Sequence, residues 1–150
     1  HRTDPGVTMT AHAVDCELCS SDGGEILHRA EKFRVVLVDD ARYPGFCRVV
    51  WQRHVKEMTD LSAADRALFM DAVWTVETVV RNIMQPEKIN LACLGNMTPH
   101  LHWHVIPRYL DDAHFPSPVW ATAQRQTAPA VLEQRQALLS ALRSAVSEQF

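Results

Sequence analysis

The sequence predicts an α+β domain: an antiparallel sheet with one long helix packed on it, and a further helix at the C-terminus. Three observations lead there. Short runs rich in β-branched and aromatic residues recur between turn-forming clusters, as strands do. One segment between Ser62 and Pro86 repeats its apolar residues at helical spacing. The last two apolar runs are separated only by a turn over Gly95 to Pro99, which allows antiparallel but not parallel pairing.

The elements follow in order. Residues 1–15 read as a loose arm, followed by Cys16 and Cys19 and the turn cluster Ser20-Ser21-Asp22-Gly23-Gly24. Ile26 to His28 and Phe33 to Val38 are strand runs, and Asp39 to Gly45 is a loop. Phe46 to Trp51 reads as a buried strand that the chain leaves near His54. Ser62-Ala63-Ala64-Asp65 has capping-box form, so a helix starts there, and Phe69, Val73, Val76, Val80 and Ile83 give it one apolar face. Pro86 stops it. Ile89 to Leu94 and Leu101 to Ile106 are the last strands, joined as a hairpin. Asp111 to Trp120 is loop-like, Ala121 to Thr127 is polar and expected to be mobile, and Pro129 opens an amphipathic helix carrying Val131, Leu138, Leu139, Leu142 and Val146.

A chain of 150 residues suits one compact domain without disulfide staples. Its net charge of −3 argues against a general nucleic-acid or acidic-membrane surface, which needs a basic excess. No apolar run approaches the ~20 residues of a membrane span, and the first ten residues lack the apolar centre of a signal peptide. Cytoplasmic location is the default expectation. Cys47 and Cys93 fit it as buried free thiols, and Cys-x-x-Cys at 16 and 19 points to metal or redox work more than to a structural disulfide, with metal favoured because a turn cluster and no convincing helix start follows Cys16.

The chemistry concentrates in His100-Leu101-His102-Trp103-His104. On a strand the three imidazoles share one face, while Leu101, Trp103 and Val105 take the other. Alternate residues lie roughly 6.6 Å apart, so neighbouring rings can share an anion but three cannot easily grip one metal. Neutral imidazole is a nucleophile near pH 7, with a reference pKa of about 6.5, and attack on phosphorus would split a hard displacement into two steps. Two other readings stay open: polar residues on a wet strand face, and a metal site using at least one of these histidines. His114 reads as an exposed loop histidine, and Phe115 and Trp120 as aromatic cover near the site. His1, His12 and His28 carry no signal.

The run from His100 to Ile106 resembles the His-φ-His-φ-His-φ-φ motif of the histidine-triad (HIT) superfamily. Val36 to Asp40, Pro44 to His54, the helix from Ser62, Asn90 to Gly95 and Pro107-Arg108 fall in the family's order. The resemblance covers 16–120 and leaves 121–150 as linker and C-terminal helix. It implies a nucleotide-binding α+β fold, usually homodimeric, acting at the α-phosphate of a nucleotide. It implies that His102 is the nucleophile and His104 a phosphate contact, with Asp39 or Asp40 near the ribose and Asn90 lining the site. The family's Gly-Gln-Ser/Thr before the motif is Gly95-Asn96-Met97 here: Asn96 has a shorter reach than glutamine and Met97 no hydroxyl. Phe46 stands where some members have histidine.

Cys-x-x-Cys is half a zinc site, and His54 and His100 are the candidates for the other half. The galactose-1-phosphate uridylyltransferase branch of the family uses two cysteines, a histidine after the upstream strand and the first motif histidine. That resemblance implies a structural zinc on Cys16, Cys19, His54 and His100. The expected activity is a HIT-type nucleotide hydrolase acting on dinucleoside polyphosphates or nucleoside phosphoramidates through a nucleotidyl-histidine. The alternatives are a nucleotide-binding regulatory module and a nucleotidyl transferase.

Overall fold

A computed structural model describes residues 15–150; the arm expected over 1–15 therefore lies, except for Asp15, outside the described residues. A single helical turn, α1 (Glu17–Ser20), precedes β1 (Glu25–Arg29), β2 (Phe33–Leu37) and β3 (Cys47–Trp51). Helix α2 (Ala63–Met84) follows, then β4 (Lys88–Ala92), β5 (His102–Arg108), α3 (Pro129–Gln136) and α4 (Leu139–Gln149). The five strands form one sheet in the order β1-β2-β3-β5-β4, every pair antiparallel.

Alternation along the strands divides the sheet into two unlike faces. Phe33, Val35, Leu37, Cys47, Val49, Trp51 and Val105 pack with Phe69, Val73, Val76 and Val80 of α2 and with Leu142 and Val146 of α4. Burial pushes the Cys47 thiol up to about 12, so it is an inert core group. The other face carries Val36 and Val50, buried under Cys16 and Leu18, and Ile106, buried under Tyr43 and Phe46. His102 and His104 lie between these two small clusters, on the same side as Val50 and Ile106.

Helix α2 starts as the capping box predicts: Ser62 Oγ accepts from Asp65 N at 3.1 Å. It ends on Gln85 in the left-handed region, φ 51°, just before Pro86. Pro107 sits inside β5 without cost. Trp51 N donates to Leu101 O, so the odd-numbered residues of β5 face β3, and β3 ends opposite Val105. The missing N–H of Pro107 therefore has no partner to lose.

Three expectations change. The hairpin is not tight: β4 ends at Ala92 and β5 begins at His102, so the connection spans 93–101 and His100 lies just before the strand. The C-terminal helix is two: α3 buries no residue, and only α4 supplies core residues, Leu139, Leu142 and Val146. The break falls at Ala137 and Leu138, because α3 has too weak an apolar face to continue packing. The 121–127 segment is tied down rather than loose, since Gln124 N and Arg125 N both donate to Ala113 O and Arg125 Nη1 donates to Asp112 O. Among the described residues, no helix is long and apolar enough to cross a membrane.

Candidate functional site

Burial excludes the alternative reading of these histidines as polar residues on a wet strand face. His100, His102 and His104 are 1%, 8% and 5% exposed. The Cys-x-x-Cys turn covers one end of the row. At the other, Phe46 and Trp120 meet the His104 ring edge-on, at 5.6 and 5.1 Å between centroids.

One turn of helix brings the two cysteines together: Ser20 N and Cys19 N both donate to Cys16 O, so residues 16 and 19 share a side. Arg34 staples this turn to the sheet, donating from Nη2 to Leu18 O at 2.8 Å and from Nε to Asp22 O at 2.9 Å. Gly23 has φ 83°, and a Cβ there would sit 2.6 Å from Leu18 Cδ2, so only glycine lets the chain turn back over its own buried leucine.

Cys16 Sγ lies 3.4 Å from His100 Nδ1, and Cys19 Sγ lies 3.4 Å from His54 Nδ1 and 3.5 Å from His100 Nδ1. The ligand atoms of all four residues fall within 4.8 Å of one another. A tetrahedral ion with metal–sulfur bonds near 2.3 Å and metal–nitrogen bonds near 2.0–2.1 Å would separate sulfur from nitrogen by about 3.5 Å. The four side chains thus form a Cys2His2 cluster able to coordinate a metal ion. His100 is prepared for it. Its Nε2 lies 2.5 Å from Trp51 O, and a carbonyl only accepts, so Nε2 carries the hydrogen and Nδ1 presents its lone pair to the thiols. Burial pushes His100 down to about 4, keeping the ring neutral.

His102 is tied the other way round. Its Nδ1 donates to His100 O at 2.6 Å, which leaves the lone pair on Nε2. Its ring stands edge-on to that of His104, centroids 4.8 Å apart. Burial is the first cause that lowers both groups, His104 to about 3, and the Arg48 cation adds to it. Both are therefore neutral near pH 7. A cleft of about 390 Å³ between Lys56–Thr59 and Cys93–Gly95 reaches His100 and His102.

The other residues singled out in the sequence are placed differently. Asp39 and Asp40 line a separate cleft of about 490 Å³ with Leu139 and Arg143 of α4. Asn90 Oδ1 accepts from Arg108 Nη1 at 2.7 Å. Asn96 and Met97 face outward on the 93–101 loop, Met97 97% exposed.

Sequence reasoning missed two features. His114 is buried, not exposed. Its Nδ1 lies 2.6 Å from Tyr43 Oη, which donates to Asp112, and Asp112 also accepts from Arg108 Nε at 2.8 Å and from the backbone N–H of Tyr109, His114 and Phe115. Burial opposes the Asp112 charge, but Arg108 and these N–H groups outweigh it and hold the carboxyl well below its ordinary range. The network fixes the loop that carries Trp120. The second feature is Arg48, directly opposite His104 in the β3–β5 register. One charged residue inside the apolar run from Phe46 to Trp51, in phase with Val50, is the signal that could have found it.

Comparisons agree with this geometry. The sequence profile of the HIT domain matches residues 23–111, more than half of the chain. An "AP-4-A phosphorylase" of Mycobacterium tuberculosis is 30% identical over 102 residues, 64% of this chain and 52% of that protein. The chain thus spans about half the length of the curated relatives it matches. Among solved structures, a histidine triad protein of Bradyrhizobium japonicum is 31% identical with a TM-score of 0.69, covering 83% of this chain and 92% of that one. A histidine triad protein of Sinorhizobium meliloti is 26% identical, also at TM-score 0.69, over 95% and 99% of the two chains. With its profile match, its sheet and its alternating histidines in agreement, the chain belongs to the HIT family.

Proposed function

We propose that the protein is a nucleotide hydrolase of the HIT type, acting at the α-phosphate of a dinucleoside polyphosphate or nucleoside phosphoramidate. The observation that carries this reading is the tethering of His102, whose Nδ1–H is committed to His100 O while Nε2 keeps its lone pair. Nε2 attacks the α-phosphorus and forms a P–N bond as the bond to the leaving group breaks, its electron pair departing with that group. Water then attacks the phosphorus of the nucleotidyl-histidine, loses a proton to solvent and releases the mononucleotide, and the lone pair returns to Nε2. His104 contacts the phosphate; the family resemblance assigns Asp39, Asp40, Asn90, Asn96 and Met97 to the nucleotide as well, although Asp39 and Asp40 line a cleft separate from the one that reaches His102.

Cys16, Cys19, His54 and His100 hold a zinc ion. Such an ion supplies structural cross-linking, since four protein ligands leave no open position. The edge position of β4, unpaired on its outer side among the described residues, and the exposed Trp74 on α2 support a homodimer, checked by light scattering of the purified chain.

The name of the mycobacterial relative favours a second acceptor, inorganic phosphate in place of water. One assay addresses both. With diadenosine tetraphosphate, hydrolysis yields AMP and ATP, whereas phosphate as acceptor yields ADP and ATP. The expected result is AMP release that disappears in His102→Ala. Binding with no products would overturn the enzyme reading in favour of a regulatory module.

A further inference from the structure

We propose that Arg48 is a catalytic residue that holds the non-bridging oxygens of the substrate's α-phosphate beside His102 and His104. This rests on the reading of His102 as the nucleophile toward phosphorus.

Of the arginines on the histidine-bearing face of the sheet, Arg34 on β2 and Arg48 on β3 lie on adjacent strands and are used differently. Arg34 spends its guanidinium on structure, bonding Asp22 O, Gln52 Oε1, Leu18 O and Ser21 O. Arg48 makes one such bond, Nη1 to Gly23 O at 3.0 Å, and its buried Nε has no partner among the described residues. No carboxylate forms an ion pair with it among those residues. A guanidinium half-withdrawn from water with donors unused is costly unless an anion completes it.

Position says which anion. Arg48 pairs across the strands with His104, and directly opposed residues have Cβ atoms roughly 5 Å apart. Its neighbour Val50 faces His102 in the same register. The guanidinium fork matches two phosphate oxygens at once. Asn96 and Met97, on the loop that leads into the histidine strand, face solvent, so a donor from the sheet itself is what this site offers. As Nε2 of His102 adds to phosphorus, Arg48 neutralises the charge building on the oxygens and keeps its own proton throughout.

The test is calorimetric titration of the full-length chain with AMP and with adenosine, beside turnover of diadenosine tetraphosphate. Arg48→Met is expected to weaken AMP by about 10-fold or more and to leave adenosine within about 2-fold. Arg48→Lys, which keeps a cation, is expected to retain part of the AMP affinity. If the methionine variant loses the wild-type circular dichroism, Arg48→Gln is read in its place with the same expectation. Unchanged AMP affinity, or equal losses for AMP and adenosine, overturns the assignment. A wild type that binds AMP through Arg48 but turns nothing over leaves the Arg48–phosphate contact standing and removes its catalytic role together with the hydrolase reading. Turnover with AMP affinity unmoved by the substitution does the reverse. Wild type that binds neither compound overturns both.

Discussion

His100 and His102 are two residues apart, both buried, and each bonds one ring nitrogen to a main-chain carbonyl, yet they offer opposite atoms. Trp51 O takes the Nε2–H of His100 and turns Nδ1 toward Cys16 and Cys19; His100 O takes the Nδ1–H of His102 and turns out Nε2. In each case a carbonyl on the backbone, not the side chain's own chemistry, selects which nitrogen carries the lone pair. The result is two sites on one short stretch of chain: a Cys2His2 cluster, and a histidine pair in which His102 reaches a cleft and His104 stands opposite Arg48. His104 differs from both, since its buried Nδ1 has no partner among the described residues.

Four substitutions have measurable outcomes, from the largest expected effect to the smallest. His102→Ala should lower turnover by about three orders of magnitude or more while metal content stays at the wild-type value, because the lost atom belongs to the pair alone. Loss of metal together with activity would show that the two sites are one. Cys16→Ser with Cys19→Ser should reduce zinc from about one per chain to almost none after chelator-free purification, with a lowered Tm, since the α1 turn loses its anchor. Metal-free wild type of normal stability would sink the cluster as a metal site.

Asp112→Asn comes third. It leaves Arg108 buried with a weakened partner, so unfolding stability should fall by about 3 kcal/mol, read from the denaturant midpoint. The same group sets an acid limit in the wild type. Its folded pKa is depressed, so its contribution is fully present above the ordinary carboxyl value of about 3.9 and is lost only as pH falls through the folded value. A denaturant midpoint that drops between pH 7 and pH 5 must therefore come from elsewhere. Smallest is Met97→Thr: it supplies the hydroxyl of many relatives, but on a side chain 97% exposed, so kcat/KM should change by less than about 3-fold. A much larger gain would mean that the 93–101 loop closes over the substrate.

The strands, the capped long helix and the antiparallel pairing of β4 with β5 were legible because each rests on a local signal: period, Ser62 with Asp65, and two strand runs adjacent in sequence, although the 93–101 connection is longer than the tight turn expected. The break at Ala137 was not, because apolar spacing continues across it while only α4 finds a partner face. In the site, the four residues of the Cys2His2 cluster could be named in advance, because Cys-x-x-Cys is half a metal site and the resemblance to the uridylyltransferase branch implied His54 and His100 as the rest. His114 could not. In a polar, proline-bearing loop its burial depends on Tyr43 and Asp112, one of them some seventy residues away.

Strand alternation and residue chemistry are local properties, and they suffice to place the strand runs and the long helix, the face that His102 and His104 share and, with the family resemblance, the side chains of the cluster. Only the tertiary structure decided that the histidine row is buried, which nitrogen each ring presents, and that Arg48 stands opposite His104 with donors unused. Those depend on strand register and on which distant carbonyl, thiol or loop arrives beside each ring, and no local pattern encodes that arrival.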